Sequence, residues 1–266
     1  MNTLIFPGLA ALVACMIPAS AIAGASVWEK VEGGSVRLVT EGLPDAEGRL
    51  RGALEIRLNP GWKTYWRDPG EAGIPPMVTV TWPQTDASTE IGFPTPKRFD
   101  DGYSVWAGYD EPVTLPLTFD LAGGGMQTRI DASVFLGICE VICIPVQAEF
   151  GIDLTDSSEA ATHHRIVEDA FAALPQSAHA GFEAVLREAD AERAMIDIKT
   201  PDNAADPELF VASTERWAFG TPEPAEGPAF HVPVLSAPEP DGTADTIHYT
   251  LVAGGDAVSG TFEISQ

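Results

Sequence analysis

Basic side chains are scarce in this chain: 15 Lys and Arg stand against 39 Asp and Glu, a formal net charge of −24. Such a surface repels nucleic-acid phosphates and anionic lipid headgroups, so nucleic acid is excluded as a partner. Cysteine is scarcer still, with three in 266 residues. The five histidines all follow the cysteine segment, which disfavours a four-ligand structural zinc site. No stretch beyond the first 23 residues reaches the roughly 18 uninterrupted apolar residues of a membrane helix. Long repeats and low-complexity tracts are missing too, and the remainder reads as globular.

Residues 1–23 carry no charged side chain and run through Leu4-Ile5-Phe6 and Leu9 to Ile17 into the small-residue stretch Pro18 to Ala23. This is the pattern of a signal peptide, with cleavage expected after Ala23 and a periplasmic destination. Leu12-Val13-Ala14-Cys15 also fits a lipoprotein box, which would leave the protein anchored at Cys15 instead.

The 25 glycines and 22 prolines punctuate the chain as all-β domains require. Apolar and polar residues alternate in Ser35–Thr40, Arg49–Leu58, Met77–Trp82, Val113–Asp120, Gln127–Phe135 and Val146–Leu154. A period of two gives each strand one buried face, and six such strands predict two antiparallel sheets packed as an immunoglobulin-like β-sandwich over residues 24–154. A short helical connector is expected over 155–194. Its first helix, capped by Ser157-Ser158-Glu159, runs through Ile166, Val167, Ala170 and Phe171, and a second covers Gly181 to Glu192. Strands resume from Met195 to Ile264, predicting a second, smaller β-domain over 195–266.

Loss of the leader leaves two cysteines, in Phe135-Leu136-Gly137-Ile138-Cys139-Glu140-Val141-Ile142-Cys143-Ile144-Pro145. Thiols four residues apart in an oxidising compartment pair if geometry allows. On an extended strand their Cα atoms would lie about 13 Å apart, beyond disulfide reach, so the segment must turn back between two strands. A bridge closing so short a loop removes only about 2 kcal/mol of unfolded-chain entropy, which suits a bond made to open better than a staple. Thiol:disulfide exchange requires an accessible sulfur and a partner thiol. The alternatives are a structural disulfide in a plain adhesion module, or Cu(I) held by the two thiolates with Met77 or Met126 as a third soft ligand. His163-His164 reads as a solvated helix start.

Three stretches carry a family resemblance: Gly61-Trp62-Lys63-Thr64-Tyr65-Trp66-Arg67-Asp68-Pro69-Gly70-Glu71-Ala72-Gly73, Arg98-Phe99-Asp100-Asp101-Gly102-Tyr103 with Leu115-Pro116, and Cys139 to Pro145. In this order they resemble the N-terminal periplasmic domain of DsbD-type thiol:disulfide interchange proteins, including the copper-sensitivity-suppressor ScsB branch. The resemblance implies a redox-active Cys139/Cys143 pair, with no cofactor and no resident metal. It implies a cap loop at Asp100, Asp101 and Tyr103, the acids modulating thiol protonation and Tyr103 or Trp106 shielding the sulfurs, with Tyr65 beside the cysteines. It also implies a DsbD/CcdA-like membrane electron donor or thioredoxin-like domain, and periplasmic thioredoxin-fold acceptor proteins. Two features depart from the best-known members: three residues separate the cysteines instead of five, and Gly102 replaces an aromatic. An ordinary Asp-Gly hairpin turn would account for Asp100-Asp101-Gly102 equally well. The expected activity is that of a protein-disulfide reductase module, and a copper-binding or copper-tolerance protein is the alternative.

Overall fold

The computed structural model describes residues 24–70, 73–82, 87–100, 102, 104–121, 127–201 and 204–265. Residues 1–23, where a signal peptide is expected and which include Cys15, lie outside the described residues, as do Asp101, Tyr103 and Met126.

The first half of the chain supplies strands β1 Glu29–Val31, β2 Gly34–Thr40, β3 Arg49–Leu58, β4 Lys63–Tyr65, β5 Met77–Thr81, β6 Ser88–Ile91, β7 Lys97–Asp100, β8 Val105–Tyr109, β9 Val113–Asp120, β10 Arg129–Cys139 and β11 Cys143–Asp153. They form two sheets, ordered β1-β2-β3-β9-β6 and β11-β10-β4-β8-β7, with β5 added to β10 beside β4. This is an immunoglobulin-like antiparallel β-sandwich. The alternating positions face each other across it: Leu50, Leu54 and Ile56 from one sheet meet Ile130, Val134, Leu136 and Ile138 from the other, all buried. Each such side chain taken out of water contributes about 1.5–3 kcal/mol before chain entropy is counted.

Helix α1 (Ala160–Ala172) follows and lays Val167 and Ala170 against Val39 and Ala53. Its N-cap is Glu159 without a side-chain capping bond, so the expected serine cap is not made. The second connector helix expected over Gly181 to Glu192 is absent. Instead, after β12 (Gln176–Ser177), residues Glu183–Ala189 form β13, paired antiparallel with β14 Arg193–Lys199 through a bulge at Leu186 and Glu188. Glu, Ala, Leu and Arg favour helix, but Phe182 and Ala184 also alternate at period two, and the cross-strand partner decides between the two periods.

The second sandwich is completed by β15 Glu208–Val211, β16 Ala218–Phe219, β17 Glu223–Pro224, β18 Ala229–Ser236, β19 Asp245–Ala253 and β20 Asp256–Ile264. Its sheets run β12-β20-β19-β15 and β13-β14-β18-β16, with β17 also on β18, around a core of Ile196, Trp217, Val232, Ile247 and Leu251. Phe210 and Ala212 break this pattern, because they are buried in the first sandwich's core and close its end. Among the described residues, no helix is long and apolar enough to cross a membrane.

Candidate functional site

Strands β10 and β11 pair over their whole length, from Arg129 opposite Asp153 to Cys139 opposite Cys143. Glu140, Val141 and Ile142 make the connecting turn. The two cysteines therefore form the last rung of the ladder, with Cα atoms 4.1 Å apart and their sulfurs joined in a disulfide. The fold-back required by their spacing is this hairpin end.

Register then determines what surrounds the sulfurs. Lys63 lies opposite Cys139 and Thr64 opposite Ile138, while Tyr65 lies opposite Gly108 on the other side of β4. Because side chains alternate across a strand, Lys63 and Tyr65 share the outward face with Cys139, whereas Thr64 turns inward. The buried Thr64 hydroxyl donates to the Gly137 carbonyl at 2.8 Å, tying the short β4 to β10. On the outward face Gly137 clears space for the Tyr65 ring, and Gly108 lets β8 approach the β4 backbone. A Cβ on Gly137 would lie 3.1 Å from Cε2 of that ring, and one on Gly108 would lie 2.2 Å from the Thr64 carbonyl oxygen and 3.0 Å from the Tyr65 Cα.

Tyr65 so placed puts its hydroxyl 2.9 Å from each sulfur, donating to Cys139 Sγ and within hydrogen-bond reach of Cys143 Sγ. Its ring meets Trp106 edge-on at 5.7 Å, and Trp106 stacks flat on Phe99 with centroids 4.0 Å apart. Phe99 and Trp106 are register partners in the β7–β8 hairpin, so this stack belongs to the loop region that the resemblance marks as a cap. The Lys63 ammonium lies 4.4 Å from the Trp106 ring centroid. Together the three aromatics bury Cys139 to 1% exposure, while Cys143 remains half-buried. Beside it, Val141 and Ile142 are 94% and 76% exposed, an apolar tip next to the more accessible sulfur.

The expected site residues are thus distributed unevenly. Cys139, Cys143 and Tyr65 come together. Asp100 ends β7 with its carboxylate turned into the hairpin, accepting the Gly102 N–H at 2.8 Å. Gly102 has a φ of +80°, which the Asp-Gly turn requires and a side chain would strain. Asp101 and Tyr103 fall outside the described residues. The sequence reading assigned no role to Phe99 or Lys63, although both lie inside the quoted motifs, and Phe99 is the one aromatic on β7.

Metal-binding composition appears elsewhere. Met77 lies opposite Phe135, four residues along β10 from Cys139, or about 13 Å at the usual strand rise. Among the described residues, one group has the composition of a metal site: Glu41, His164 and Glu168. The Arg51 guanidinium already contacts both acids, 3.4 Å from Glu41 and 2.6 Å from Glu168. His164 is exposed as expected of a solvated helix start, but His163 is buried, 3.6 Å from Glu159.

Comparison with known proteins agrees with this geometry. Residues 43–154 match the family model described as "Thiol:disulfide interchange protein DsbD, N-terminal". Among solved structures, the crystal structure of the N-terminal periplasmic domain of ScsB from Proteus mirabilis superposes with a TM-score of 0.72 at 21% identity, covering 91% of this chain and 98% of that one. The likeness therefore extends through both sandwiches. No curated protein matches the chain.

Proposed function

We propose, on the premise that residues 43–154 are a DsbD-type N-terminal domain, that this protein is an exported periplasmic relay. It would take electrons from a separate DsbD/CcdA-like membrane donor or thioredoxin-like domain and pass them to oxidised periplasmic thioredoxin-fold proteins through Cys139 and Cys143. The observation that carries this reading is a disulfide that adds little to the fold yet sits under an aromatic cover with Cys139 buried and Cys143 half-buried. The bridge closes a three-residue turn already held by an eleven-rung ladder. Its entropic contribution is about 2 kcal/mol, modest beside the several kcal/mol of a long-loop disulfide.

The difference in exposure between the two cysteines supports one assignment of roles. A donor thiolate attacks Cys143 Sγ in line, forming a donor–Cys143 mixed disulfide and releasing Cys139 as a thiolate. The Tyr65 hydroxyl donates to that thiolate, and Lys63, opposite Cys139 in the ladder, adds positive charge on the same face. The donor's second thiol then attacks the donor sulfur, freeing Cys143 and leaving the donor oxidised by two electrons and this protein as a dithiol. Delivery to an acceptor disulfide runs the same steps in reverse. The copper reading would use the same sulfurs, and no described residue brings a third ligand to them.

Trapping tests the relay. A Cys139→Ser variant, which leaves Cys143 as the sole mature thiol, should accumulate reductant-sensitive adducts in the periplasm with a thioredoxin-fold or membrane thiol protein. If neither this variant nor Cys143→Ser forms an adduct above the level of a double variant, the relay is wrong.

A further inference from the structure

Among the described residues the second sandwich touches no sulfur, yet it is fastened to β7, which carries Phe99 of the aromatic cover, and to the segment that follows Tyr65. On β7, Arg98 immediately precedes Phe99 and points to the opposite face of the sheet. There Arg98 Nη2 donates to the Leu209 carbonyl at 2.7 Å, its guanidinium lies 4.5 Å from the Phe210 ring centroid, and Nε is 3.9 Å from Glu208. Burial lowers the Arg98 pKa from its usual value, and Glu208 offsets this in part. A guanidinium is charged at any working pH, so this one is a partly buried cation whose side-chain partners among the described residues belong to the second sandwich. The segment leaving β4 is held in the same way. Asp68 accepts the Ser213 N–H at 2.6 Å, and Trp66, next to Tyr65, meets Phe210 edge-on at 5.9 Å.

A cleft of about 430 Å³, lined by the fastening residues Asp68, Arg98 and Phe210, opens between Asp100, Gly102 and Ser104 of the hairpin and the second sandwich at Phe219, Pro222 and Leu235. The hairpin is therefore held through Arg98 and borders this cleft at Asp100, Gly102 and Ser104. Phe99 stands between anchor and tip.

From this arrangement we propose that the second sandwich sets the closed position of the disulfide cover, with Arg98 as the positioning residue that holds Phe99 flat on Trp106. The C-terminal half of the chain thereby regulates how readily the sulfurs meet an incoming thiolate. Arg98 reaches the reaction only through Phe99. The inference rests on the pair being open to exchange, and a small-molecule reductant probes the cover without needing the natural partner.

The experiment measures the rate at which dithiothreitol reduces the disulfide in the intact mature protein, followed by thiol labelling well below the unfolding temperature. Phe99→Ala should accelerate reduction, and Arg98→Ala should do so by about fivefold or more, since a charged hydrogen bond and its stack are lost together. Arg98→Lys, which keeps the charge but not the planar fork, should fall between wild type and Arg98→Ala and guards against a variant that fails to fold. The decisive reading is the double variant: with Phe99 already Ala, adding Arg98→Ala should change the rate less than twofold. Independent, multiplying effects would overturn the positioning role, as would a wild-type rate in Arg98→Ala. A disulfide that resists dithiothreitol in every variant would overturn both this inference and the relay.

Discussion

Replacing Tyr65 with Phe removes one oxygen atom from the site and little else, because the ring keeps its place over Gly137 and against Trp106. That oxygen lies 2.9 Å from both sulfurs. Against an oxidised pair the loss is small, since a disulfide sulfur is a weak acceptor. In the reduced protein the hydroxyl faces a thiolate, and a hydrogen bond to a charged acceptor is worth about 1.5–3 kcal/mol. At 1.36 kcal/mol per pH unit, its removal should move the midpoint of thiolate formation upward by about one to two units. Nucleophilicity rises with basicity at a Brønsted slope near 0.4–0.5, which recovers nearly half of the lost thiolate. The net expectation is a fall of about three- to twelvefold in exchange rate at neutral pH, and a plateau about three- to tenfold above wild type at high pH, where both thiols are ionised and the more basic one is the better nucleophile. Alkylation of the reduced protein by iodoacetamide from pH 5 to 10 reads both the midpoint and the plateau. Superimposable profiles for wild type and Tyr65→Phe would refute the claim that Tyr65 stabilises the leaving thiolate.

Gly108→Ala forces a methyl group into the Thr64 carbonyl and should cost about 1–3 kcal/mol in urea unfolding while exposing the sulfurs; an unchanged midpoint would mean that β4 shifts freely. Replacing both cysteines with Ala should cost no more than about 2 kcal/mol by the same assay, because the hairpin ladder persists without the bridge. In the second sandwich, the Arg216 hydrogen bond, helped by the Thr243 N–H, holds the Asp241 carboxyl at about 2. A depressed carboxylate adds stability above its unfolded value of 3.8 and loses it as the pH falls through the folded one. Arg216→Gln should accordingly raise the Asp241 midpoint in a carboxyl NMR titration and flatten the acid limb of the unfolding curve between about pH 4 and 2.

The sandwich was legible in the sequence where strands have one wet face. Arg49–Leu58 and Val146–Leu154 alternate openly, and both form strands. The strands that build the site do not alternate. Val105–Tyr109 is buried at nearly every position, Lys63–Tyr65 is three residues long, and the last four residues of β10 are buried in succession. A strand covered on both faces shows no period of two, which hid β8, while β4 and β7, three and four residues long, are too short to show one. The cysteine fold-back was legible because bond geometry allows nothing else. The aromatic cover was legible only at Trp106, because Phe99 and Trp106 meet only through cross-strand register. The fastening by Arg98 joins residues 111 apart in the chain, and nothing local signals it.

The account depends on the Cys139–Cys143 bond being one that other thiols can open, and equilibrating the mature protein with glutathione buffers while trapping free thiols measures this directly. A reduction potential more positive than about −300 mV, within reach of periplasmic thiol donors, is the expected result. A value well below that would make the bridge an inert staple and contradict the relay.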